Sequence, residues 1–237
     1  MAIAIVDERI SDKCERALLL RGFTVVKTKA CSSLSPAVCA HPDMLMFVHK
    51  NNIISSADYC DSAPYVFSDL REYGEDVSIT FTDDKFESTY PRDAIFNALA
   101  IGERLFAKTD TVSKSVLELA DKNHLKVIKV SQGYPACTVL PIGENAAITS
   151  DNGMAKAMQK EGISVTLIEN GDIALPPHDY GFIGGACGVF KDTVYFIGNL
   201  ELHKDKDKIK EAIAKAGKSI VSLSDEPLAD LGRIIFI

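Results

Sequence analysis

The sequence predicts an α/β propeller, a closed ring of five ββαβ modules with pseudo-fivefold symmetry, and three observations carry that expectation. Segments reading as two apolar strands, an amphipathic helix and a third strand recur along the chain. Their starts, Asp43, Asp93, Cys137, Cys187 and Asp230, are spaced by roughly 43 to 50 residues when the ends are joined. One module is completed only by combining the two termini, which an open solenoid with capping repeats would not require. The plan makes residues 1–237 a single domain, and an ordinary three-layer α/β sheet is the competing reading.

The clearest module opens with 137-CTVLPIGENAAITSD-151, two short strands around a Gly-Glu-Asn reversal. A helix follows from Asp151, whose side chain suits a cap, and Gly162 stops it before the β-rich ISVTLI. In the next module 187-CGVFKDTVYFIG-198 supplies two strands, Ile209 to Ala216 a helix, Gly217 the stop and SIVSL the third strand. An earlier module runs from AIFNAL through ERLFAK to a helix opened by Thr109-Asp110-Thr111, then LKVIKV. Residues 43 to 82 supply MLMFV, a Lys-Asn-Asn turn and IISS, with a helix interrupted at Pro64. The split module takes RIIFI from the C-terminus and AIAIV, a Ser11 to Arg21 helix and FTVVKT from the N-terminus.

With 46 % hydrophobic and 25 % charged residues, the chain is of the folded globular class. Its net charge of −7 argues against a DNA-binding surface, and only 204-KDKDKIK-210 is lysine-dense. No apolar run is long enough for a membrane, and MAIAIVDERIS lacks the basic start of a signal peptide, so a cytoplasmic location is expected. Six cysteines without CxxC pairs point to reduced thiols.

Five modules around one axis bring together the residues that open equivalent first strands. These are His41-Pro42-Asp43, Tyr90-Pro91-Arg92-Asp93, Tyr134-Pro135-Ala136-Cys137, Gly184-Gly185-Ala186-Cys187 and Ala229-Asp230-Leu231-Gly232. Singly, each Asp reads as a turn residue, each Cys as a small core residue and each Gly as a bend. Together they describe a polar central pocket, which needs partners or a ligand to be tolerated.

On this plan the chain resembles the pentein superfamily of guanidine-modifying enzymes, which includes arginine deiminases, dimethylarginine hydrolases, amidinotransferases and agmatine deiminases. The resemblance implies a cysteine-dependent hydrolase or transferase acting on a small guanidino or amidino cation. Cys187 then falls at the nucleophile's place and Asp93 at that of a guanidinium-binding acid, with Asp43, Arg92, Cys137, Gly184, Gly185 and Asp230 as further binding candidates. Where those enzymes carry a His-x-Asp pattern this chain has Pro135-Ala136-Cys137, so the expected base is absent there. His41 is either its substitute or a residue of a surface turn. The resemblance also leaves open a non-catalytic binding protein on the same scaffold, such as a ribosome-associated translation-factor-like protein. No cofactor is implied. A zinc site made from Cys137, Cys187 and the central Asp or His residues has no close ligand spacing behind it.

Overall fold

Residues 2–237, which the computed structural model describes, form five copies of one small sheet. Each copy is an antiparallel hairpin to which a third strand is added in parallel after a crossover. The first four are Met46–His49 with Asn52–Ser56 and Ser78–Thr82, Leu99–Ile101 with Arg104–Ala107 and Lys126–Lys129, Val139–Gly143 with Ala146–Thr149 and Ser164–Leu167, and Cys187–Phe190 with Thr193–Phe196 and Ser219–Ser222. The fifth joins the termini, with Ile235–Phe236 antiparallel to Ile3–Val6 and Thr24–Lys27 parallel to it. Ile3 and Ile237 exchange backbone hydrogen bonds of 2.9 and 3.1 Å.

The helices arise where the periodicity and caps place them. Asp151 Oδ1 accepts the Met154 N–H at 2.7 Å to open Asn152–Lys160, which buries Met154, Ala155 and Met158. Gly162, at φ +78°, ends that turn in the left-handed conformation that glycine tolerates best. Ser11 caps Asp12–Leu19 in the same way. The segment after residue 57 breaks at Ala63 into Ala57–Ser62 and Pro64–Tyr73, as the missing N–H of Pro64 requires. Two helix starts differ from their sequence expectations: the helix expected from Ile209 to Ala216 spans Lys206–Lys215, and the one expected to open at Thr109-Asp110-Thr111 starts later. Thr111 and Val112 are tied back to the Lys108 carbonyl, so the helix begins at Lys114 with Ser113 as its cap.

First strands of successive modules touch around the axis, from Leu99–Ile101 through Val139–Gly143 and Cys187–Phe190 to Ile235–Phe236. Apolar faces of helix and sheet are buried between modules, and Phe236 fills one such seam against Phe23, Phe190 and Tyr195. An additional pairing lies outside the repeat: Ile173–Ala174 runs parallel to Leu228–Ala229 and anchors the loop that follows it. Among the described residues no helix is long and apolar enough to cross a membrane, and all six cysteines are free.

Candidate active site

At one end of the axis the segments before the first strands enclose a cavity of about 510 Å³. His41, Asp93, Cys137 and Asp230, all buried, line it together with exposed residues of the 175–182 loop. Two short helices present the key side chains. Pro42–Leu45 and Pro135–Thr138 are single turns with proline at the start, where a missing N–H costs nothing, and they carry Asp43 and Cys137 respectively. Both turns are entirely buried.

The Cys137 thiol donates to Asp43 Oδ2 at 2.8 Å. Asn97 fixes the other side of the sulfur. Its Oδ1 accepts the Ala136 N–H at 2.8 Å, and because that partner can only donate, the amide must turn its Nδ2–H₂ towards Cys137 Sγ, 3.2 Å away. Tyr134 donates to Asp93 Oδ2 at 2.6 Å and leaves Asp93 Oδ1 without a partner. Asp230 accepts from the Phe182 N–H at 2.8 Å and the Gly232 N–H at 3.1 Å. His41 is wholly buried, with Nδ1 3.9 Å from Asp230 Oδ1, and among the described residues neither ring nitrogen has a hydrogen-bond partner.

Burial dominates the titration of this group. It pushes Asp43 up to about 6 against the opposing thiol hydrogen bond, and Asp230 up to about 7 against the donors from Phe182 and Gly232. His41 is lowered to about 4, so its ring is neutral near pH 7. Burial, reinforced by Asp43 and Asp230, raises the Cys137 thiol well above its ordinary value. Asp93 is raised by burial, and the Tyr134 hydroxyl partly offsets this.

The structure separates the residues expected from sequence into two groups. His41, Asp93, Cys137 and Asp230 meet at the cavity, with Asp43 behind Cys137. His41 is therefore not in a surface turn. Cys187 lies away from the cavity: its thiol donates to the Ile183 carbonyl at 3.0 Å and burial pushes it up to about 12. Arg92 points outward to Glu87, 3.0 Å away. Gly184 and Gly185 do not line the cavity; they let segments pass closely. A Cβ on Gly184 would lie 2.4–2.6 Å from the carbonyl oxygens of Val139, Ala136 and Cys137, and one on Gly185 would lie 1.8 Å from Asp230 Oδ1. Gly185 also donates to the Cys137 carbonyl at 2.9 Å and accepts from the Leu231 and Arg233 N–H groups, stitching two site segments together.

Sequence reasoning missed Asn97, Tyr134 as a ligand of Asp93, and the wall formed by His178, Asp179, Tyr180 and Phe182. Tyr134 belongs to one of the segments that open the first strands, so its place was legible in the sequence although its bond to Asp93 was not. The 175–182 wall belongs to an insertion between modules, tied down by the Gly181 N–H to Ile173 carbonyl bond of 2.7 Å and the Asp230 N–H to Ala174 carbonyl bond of 2.9 Å.

Five such modules around a polar axial pocket define a pentein fold. Solved structures agree: the chain is similar to the amidinotransferase SxtG of Microseira wollei (12 % identity, TM-score 0.57, covering 94 % of this chain and 88 % of that one). It is also similar to the dimethylarginine dimethylaminohydrolase of Pseudomonas aeruginosa in complex with citrulline (11 %, 0.56, 94 % and 91 %) and to the agmatine deiminase of C. jejuni (9 %, 0.55, 94 % and 87 %). Residues 5–235 match the family of unknown function DUF6873, and the chain belongs to that family. No curated protein matches the sequence.

Proposed function

We propose that the protein binds a small guanidino or amidino cation in the axial cavity and acts on it through Cys137. The observation that carries this reading is the make-up of the cavity: Asp93, Asp179 and Asp230 line it, and among the described residues no lysine or arginine does. Carboxylates accept the N–H groups of a planar cation, and aromatic faces such as Tyr90 and Tyr134 suit its delocalised charge. Two structurally similar proteins are named for guanidino compounds, dimethylarginine for one and agmatine for another.

The chemistry follows from the hydrogen bonds. Asp43 takes the thiol proton, Asn97 stabilises the resulting sulfur charge, and the arriving cation further favours the thiolate. Sγ forms a bond to the central carbon, and the tetrahedral intermediate breaks a C–N bond to expel an amine, which takes the proton that Asp43 had received. Water or an acceptor amine then attacks the S-bound carbon, giving a proton to the neutral His41 and releasing Cys137. A protein that binds without turning over would use the carboxylates of the cavity and none of these steps.

The test is labelling with 2-chloroacetamidine, mapped by mass spectrometry. Modification should fall on Cys137, be slowed by agmatine or arginine, persist in Cys187→Ser and vanish in Cys137→Ser. Labelling confined to the more exposed Cys39 and Cys60, with no protection, would refute the assignment.

A further inference from the structure

The interior end of the cavity holds more unused bonding capacity than a folded protein ordinarily leaves. Both nitrogens of His41 and Oδ1 of Asp43 are buried without a partner, beside a protonated thiol and a second buried carboxylate, Asp230. Each orphaned buried polar atom is costly, and such groups ordinarily mark a missing water or ion. Water would satisfy one or two of them but carries no charge to set against Asp230, whereas Asp43 already has Arg233 nearby. A divalent cation would engage one His41 nitrogen and an Asp43 oxygen together, and would bring positive charge to the carboxylates.

The geometry suits one. One ligand atom each from His41, Asp43 and Cys137 can be chosen so that all lie within 4.8 Å of one another. A tetrahedral zinc with ligand bonds of about 2.0–2.3 Å requires ligand atoms roughly 3.3–3.8 Å apart. The thiol proton now sits between Cys137 Sγ and Asp43 at 2.8 Å, so exchanging it for a metal asks that pair to open by less than about 1 Å. A sulfur, an imidazole nitrogen and a carboxylate oxygen form a donor set for zinc, not for magnesium or calcium. The cavity beside His41 and Cys137 leaves room for a fourth ligand, water or Asp230.

We propose that His41, Asp43 and Cys137 form a binding site for a thiophilic divalent cation such as zinc. Binding releases the Cys137 proton to solvent and forms metal bonds to Sγ, one His41 nitrogen and one Asp43 oxygen. Resting on the reading of Cys137 as nucleophile, a further consequence is regulatory: metal-bound sulfur is withdrawn from attack, so the cation and the amidine reagent exclude each other.

Cobalt(II) titration of the reduced, metal-free protein tests the site without reference to turnover. One equivalent should give a thiolate-to-cobalt charge-transfer band, bleached by zinc. The band should disappear in Cys137→Ser, survive in Cys187→Ser, and need at least tenfold more cobalt in His41→Gln, each variant being checked for native circular dichroism. Absence of the band in the folded wild type, or its persistence in Cys137→Ser, overturns the site. The two readings fail separately. Labelling of Cys137 that zinc does not slow leaves the nucleophile and removes the metal, whereas a cobalt band without any guanidino protection leaves the metal and removes the substrate class.

Discussion

Cys137 and Asp43 are 94 residues apart in sequence, yet the thiol of one donates to the carboxylate of the other across 2.8 Å. If Asp43 is the proton acceptor, Asp43→Asn should keep the shape of the turn while removing the base. Labelling of Cys137 by 2-chloroacetamidine is expected to slow by about 10²-fold or more, the lower end of what a general base contributes. Unchanged kinetics in a folded variant would remove Asp43 from that role.

Tyr134 donates to Asp93, and that bond favours the ionised carboxylate against burial, which raises its pKa. Cation binding needs the ionised form, so affinity should fall as pH drops through the Asp93 pKa. Tyr134→Phe removes a contact that lowers this pKa, and the acid limb of the affinity profile should move to higher pH. Isothermal titration with agmatine across pH 4 to 8, about the span in which carboxylates of raised pKa titrate, measures it. A limb displaced to lower pH would contradict the relationship.

Gly185 has no space for a side chain, because a Cβ would meet Asp230 Oδ1 at 1.8 Å. Gly185→Ala should destabilise the fold by roughly 1–3 kcal/mol, the range for overpacking, and weaken cation binding by displacing Asp230. Gly143→Ala, where nothing lies within 4 Å, is the contrasting substitution and should leave the denaturant midpoint nearly unchanged. Equal midpoints for the two variants would show that the 185 segment yields freely.

Phe236 packs against Phe23, Phe190 and Tyr195 with ring centroids 4.9–5.4 Å away. As the ring is only partly buried, Phe236→Ala should cost near the lower end of the roughly 3–5 kcal/mol of a core Phe→Ala change. A loss below about 1 kcal/mol in urea unfolding would mean that the terminal strand contributes little to closure.

Much of the architecture was legible in the sequence, because the repeat spacing carries the overall plan and the cap at Asp151 and the break at Pro64 are local signals. The site was readable only in part. Repeat equivalence gathers Asp43, Asp93, Cys137, Cys187 and Asp230 near the axis, but does not say which way each side chain turns. Cys137 sits in a helical turn before its strand, whereas Cys187 is itself the first residue of a strand. With that difference, one sulfur meets Asp43 and the other the carbonyl of Ile183. Asn97 has no signature in sequence, since its importance lies in an amide orientation imposed by Ala136 from another module.

The mutual hydrogen bonds of Ile3 and Ile237 also bear on how the gene may be cut. Because the first and last strands are neighbours, a short linker between them should permit the reading frame to open elsewhere, for instance at the exposed Lys191-Asp192 reversal. Such a circular permutant would preserve every strand neighbour while exchanging which peptide is made first, separating the order of synthesis from the geometry of the finished molecule.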